Sequence, residues 1–161
     1  MSSWEKQVRK YVWDPQKTPF LVPVARLNKG QGASEIFVFV VFLVTPFTLI
    51  LLAALAYLWH TGAAQYGAMA LFAASILAAA VLLHQRKHWL AAAYCLAAPV
   101  TLLGYFMFVG FSDRLGLLDK VLVFAMLLGW VWYTLRIVAI ARGYADMPPG
   151  PPPSKVPRKF R

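Results

Sequence analysis

Four long apolar stretches, set apart by short polar ones, organise this chain. They cover residues 36–59, 63–83, 89–110 and 121–141, and they contain a single charged residue, Arg136. Each is about 21 to 24 residues long, enough for a helix rising 1.5 Å per residue to cross a hydrocarbon core of about 30 Å. The pattern predicts an all-α integral membrane protein with four transmembrane helices. The connections are short: fewer than eight residues between the first two spans, His84-Gln85-Arg86-Lys87-His88 between the next two, and residues 111–120 before the last. Short connections make successive helices antiparallel neighbours, so the expected architecture is an up-down bundle.

The flanks read differently. Residues 1–35 form a basic, polar arm with no apolar core of a cleaved signal, so no signal peptide is expected. Within it, residues 3–13 suit an interfacial helix. Trp4, Val8, Tyr11 and Val12 share one face and Lys6, Arg9 and Lys10 the other. Asp14-Pro15 should end that helix, because the residue before proline is pushed out of the α region. Gly30-Gln31-Gly32 reads as a break, and Ser34 as the N-cap of the first span. Residues 142–161 are a proline-rich basic tail whose sequence favours an extended backbone without internal hydrogen bonds.

Composition supports the class. The 161 residues are 60 % hydrophobic and 14 % charged, against about 45–50 % and about 25 % in soluble domains. The excess sits in the four spans, which leaves no room for a second folded domain. The lone cysteine, Cys95, lies in the third span, where a small apolar filler is expected.

The net charge of +10 points to topology more than to nucleic acid. Lys6, Arg9, Lys10, Lys17, Arg26 and Lys29 precede the first span. Arg86 and Lys87 lie between spans two and three. Arg142, Lys155, Arg158, Lys159 and Arg161 follow the last. Four spans put these three regions on one side, and Arg136 can snorkel to it. Only Arg114 and Lys120 of the 16 basic residues fall opposite, beside Asp113 and Asp119. The excess of bases places both termini in the cytoplasm and brings Lys6, Arg9, Lys10, Lys155, Arg158, Lys159 and Arg161 within reach of anionic headgroups or a partner surface.

Spans one and three share a motif, Thr45-Pro46-Phe47-Thr48-Leu49 and Ala98-Pro99-Val100-Thr101-Leu102, as a duplicated hairpin would. Each proline removes a donor and frees the carbonyl four residues back, at Phe42 and Cys95. Pro46, Thr48, Pro99 and Thr101 are therefore the candidate kink or hinge residues. Ala70, Ala74 and Ala78 recur at i, i+4 and are the candidates for close helix packing. Trp130 and Trp132 stand deep in the fourth span, where an indole N–H wants an acceptor.

The chemistry expected of the spans is sparse. His60 belongs at one end of the spans, His84 and His88 at the other, so the three cannot share one haem or metal. No Asp or Glu lies within residues 36–59, 63–83, 89–110 or 121–141, which weighs against coupled proton transport. The sequence carries no recognisable catalytic, cofactor or metal constellation, and nucleic-acid binding is not expected. The expectation is a non-catalytic accessory or structural subunit docked on a larger membrane complex, with a respiratory or photosynthetic complex as the natural host. The Ala- and Leu-rich spans suit a bacterial inner membrane. The alternative is a small oligomeric transporter or channel for an uncharged or lipid-like solute, working through the Pro-Thr segments.

Overall fold

The computed structural model describes residues 23–111 and 116–149. The candidate contact residues Lys6, Arg9, Lys10, Lys155, Arg158, Lys159 and Arg161 lie outside these, as does the expected helix over residues 3–13. Among the described residues every regular element is helical. They are α1 (Lys29–Thr61), α2 (Ala64–Arg86), α3 (Trp89–Cys95), α4 (Ala97–Phe108) and α5 (Leu117–Gly143). Short 3-10 turns precede α1 (Val24–Arg26) and follow α5 (Tyr144–Asp146). Four helices, with α3 and α4 taken together, are long and apolar enough to cross a membrane.

The first helix starts seven residues earlier than the charge gap implies. Its N-cap is Asn28, not Ser34. The Asn28 side chain accepts from the Gln31 amide at 2.9 Å, and the Gln31 side chain accepts from the Asn28 amide at 3.1 Å, a reciprocal capping box. Ser34 lies inside the helix and donates to the Gly30 carbonyl. The Gly30-Gln31-Gly32 run is helical, and Gly32 is there for closeness. A Cβ at Gly32 would stand 3.1 Å from the Met147 sulfur and 3.4 Å from Ile140. The end of α5 therefore seats directly on the start of α1. The Lys29 amide also donates to the Pro148 carbonyl at 3.0 Å, and Leu27 and Met147 are buried.

Contacts along the helices run in opposite directions. Phe37 at the start of α1 meets His84 at the end of α2, Phe47 meets Phe72, and Tyr57 at the end of α1 stacks on Tyr66. The connection between them is just Gly62-Ala63, and Gly62 has φ 65°. That left-handed conformation favours glycine. The same conformation recurs in the next connection at Lys87, with φ 52°. Tyr94 of α3 bonds to Ser75 of α2, and Arg142 near the end of α5 lies over the Trp89 ring at the start of α3.

The two prolines behave differently. Pro46 is carried within an unbroken α1, where the Thr45 hydroxyl donates to the Val41 carbonyl at 3.0 Å. In the third apolar stretch the regular hydrogen bonding lapses for one residue at Leu96, which keeps helical angles (φ −65°, ψ −24°) and whose amide donates to the Ala93 and Tyr94 carbonyls. Pro99 then occupies the first turn of α4, where its missing N–H costs least. Thr48 and Thr101 make no side-chain hydrogen bond among the described residues.

The core gathers in one half of the bundle. Ile36, Phe39, Leu43, Ile76, Ala80, Leu83, Ala92, Cys95, Ala98, Ile137 and Ile140 are buried, and all lie towards the end shared by Asn28, Arg86 and Gly143. Beyond Leu96, α4 packs chiefly against α5. There Met107, Phe108, Leu117, Leu118 and Met126 face outward, Phe108 with 91 % of its surface exposed. The alanine face of α2 is only partly covered within the chain. Ala70 is buried, but Ala74 and Ala78 are exposed. Ala73, Ala79 and Ala80 of α2 belong to the same buried cluster as residues of α1 and α3.

Candidate functional site: the paired charges between the first and last helices

One surface of α1 carries Glu35, Phe39 and Phe42, one turn apart. It faces Arg136, Tyr133 and Trp130 of α5 in the reverse order. At the top level the Arg136 guanidinium holds the Glu35 carboxylate, Nη2 to Oε1 at 2.8 Å and Nε to Oε2 at 3.0 Å. The Glu35 side chain is fully buried, and that of Arg136 is 11 % exposed. One turn further in, Phe39 meets Tyr133 edge-on with ring centres 5.9 Å apart. At the third level Phe42 meets Trp130 at 5.3 Å. The planar guanidinium suits a two-oxygen grip on a carboxylate that a lysine could not reproduce.

This pair corrects two expectations. Arg136 does not snorkel to solvent; it turns inward to a carboxylate. And the helical segments are not free of acids, because α1 begins at Lys29 and takes in Glu35. The depth of the pair limits its chemistry. Phe37 is level with His84 in the last turn of α2, so Glu35 stands near one end of the helices. The pair links α1 to α5 at that end.

Beneath the pair, Val38, Phe39, Phe42, Met126, Gly129, Trp130 and Tyr133 line an almost wholly apolar groove of about 400 Å³. The Trp130 indole N–H is buried and has no hydrogen-bond acceptor among the described residues. Trp132, which the sequence also places deep in its span, is exposed.

The remaining candidates do not converge. His84 packs on Phe37, while the Nδ1 of His88 accepts from the Leu90 amide as the N-cap of α3. His60 lies in the last turn of α1. Among the described residues no three His, Cys, Asp or Glu side chains come together as a metal site would need. Pro46 and Pro99 lie on separate helices, with Thr48 part-buried and Thr101 exposed. At the α2–α3 connection the Lys87 ammonium donates to the His84 carbonyl, and partial burial lowers its pKa.

The chain matches no known family, no characterised protein and no solved structure. Its class rests on the four helices that are long and apolar enough to span a membrane.

Proposed function

We propose that the chain is an up-down bundle in a bacterial inner membrane, with both termini cytoplasmic, serving as a non-catalytic accessory subunit docked on a larger membrane complex. The observation that carries this reading is the uneven packing of the bundle. One end is closed by a charge pair, a capping box and a buried core. At the other, α4 and the first half of α5 turn large apolar side chains outward, Met107, Phe108 and Met126 among them. A helix face this sparsely packed suits contact with another transmembrane helix. The topology is supported by the basic residues gathered on the side of Arg86 and Arg142.

Mild-detergent purification of the tagged full chain, followed by mass spectrometry, tests the role. Stable recovery of a heteromeric membrane complex is expected. Recovery as a homo-oligomer alone, with solute flux in liposomes that Pro46→Ala plus Pro99→Ala abolishes, would reject it in favour of a transporter for an uncharged solute. The interruption at Leu96, just ahead of Pro99, is the feature that favours that second reading. Reporter fusions at each terminus test orientation, and an external signal at either end would overturn it.

A further inference from the structure

A second groove, of about 870 Å³, lies between α2 and α3. It is lined by Ser75, Ala78, Ala79, Leu82, Arg86, His88, Leu90, Ala91 and Tyr94, and its polarity is graded. Arg86 and His88 stand at one end. Leu82, Leu90 and three alanines form the throat, and the small alanine side chains are what leave the space open. The deep end is closed by Tyr94, whose hydroxyl donates to Ser75 Oγ at 2.9 Å; Ser75 in turn donates to the Phe72 carbonyl at 2.7 Å. Both hydroxyls are thus satisfied, and the floor offers an incoming molecule little beyond apolar and aromatic surface.

The length of the groove is informative. Ser75 and Arg86 are eleven positions apart on one helix, a rise of about 16 Å. That is about half of a 30 Å hydrocarbon core, the depth of one leaflet. The base of Arg86 stands where a headgroup phosphate would be, and the throat runs where an acyl chain would lie. Outside the lining itself, Lys87 follows Arg86 in the chain, and Arg142 lies over Trp89, the residue after His88, with its guanidinium 5.9 Å from the ring centre. Among the described residues no carboxylate lines the groove. His88 accepts at Nδ1, which leaves its ring proton on Nε2 as a donor.

We propose that the α2–α3 groove binds one anionic phospholipid, its phosphate held by Arg86 and His88 and one acyl chain laid along Leu82, Ala78 and Leu90 down to Tyr94. The inference rests on the helices spanning a membrane, and not on the identity of any partner complex. The apolar throat alone would accept any lipid; the basic end selects the anionic ones.

Native mass spectrometry of the full chain in detergent, titrated separately with phosphatidylglycerol and phosphatidylcholine, tests it. One phosphatidylglycerol should be retained preferentially. Arg86→Gln should weaken its retention about fivefold, the effect of one base near a charged headgroup. Ala78→Phe, an exposed position, should weaken it by filling the throat without changing charge. Equal retention of the two lipids would overturn the proposal. So would a preference insensitive to both variants but lost when Lys155, Arg158, Lys159 and Arg161 are changed to Gln. Chain dimers whose cross-links run through Leu82 or Leu90 would assign the groove to a second copy instead. A chain that fractionates away from membranes altogether would remove the premise, an outcome distinct from a membrane-embedded chain without lipid preference.

Discussion

Glu35 and Arg136 are 101 residues apart in sequence, yet two hydrogen bonds of 2.8 and 3.0 Å join their side chains. The pair ties the first helix to the last where the bundle is tightest. Removing one partner of a buried pair leaves the other charge without compensation, which costs about 3 kcal/mol or more. Glu35→Gln and Arg136→Gln are each expected to destabilise the bundle by about that amount in thermal or denaturant unfolding in detergent. The double variant Glu35→Met, Arg136→Met should recover most of the loss, because two apolar groups of similar size replace two charges. If the single variants cost no more than the double, the pair is not coupled.

The capping box at Asn28 should be measurable by itself. Asn28→Ala removes the acceptor for the Gln31 amide and is expected to cost about 1 kcal/mol. The loss should be local. Amide exchange at residues 29–32 should speed up, and the bond from the Lys29 amide to Pro148 should loosen with it. Exchange near Ala73 should stay unchanged.

Two connections share one backbone conformation and carry different residues. Gly62 has φ 65° and Lys87 has φ 52°. Gly62→Ala should destabilise by about 1 kcal/mol, since an added Cβ is strained there although nothing stands within 4 Å of it. Lys87→Gly should go the other way, offset in part by loss of the bond to the His84 carbonyl. Unfolding midpoints of the two variants should shift in opposite directions.

Pro99 and Pro46 should also separate in experiment. Spin labels at Leu90 and Met107 report across the interruption at Leu96. In Pro99→Ala the distance should move towards about 26 Å, the span of an unbroken helix over 17 positions. Pro46→Ala should leave the distance across α1 nearly unchanged, because α1 is already continuous. Equal responses of the two helices would show that the interruption does not depend on Pro99.

The four membrane-length helices were legible because lipid-facing sequence excludes charge almost without exception. Their starts were less so. A charge-free run ends by definition at the nearest charged residue, so Glu35 marked a border when it is an internal residue of α1. The signal that would have found it was present. Asn28 and Gln31 have capping-box spacing, and Glu35, Phe39 and Phe42 continue one face. Glycine misled for a related reason. Gly32 reads as a breaker in sequence, but in the fold it makes room for Met147. For Ala70, Ala74 and Ala78 the spacing identifies a smooth face without saying what covers it; within the chain Ala70 is buried and Ala74 and Ala78 are exposed.

The link between Glu35 and Arg136 also bears on how the protein is made. A chain emerging from the ribosome delivers Glu35 with its first helix, and Arg136 only with its last. Until α5 arrives the carboxylate has no counter-charge from that helix, and the seat for Met147 beside Gly32 is empty. A product truncated before α5 would lack the two hydrogen bonds that Arg136 makes to Glu35. A form truncated before α5 is therefore expected to be less stable than the full chain and to be degraded faster, which pulse-chase of the two forms would measure.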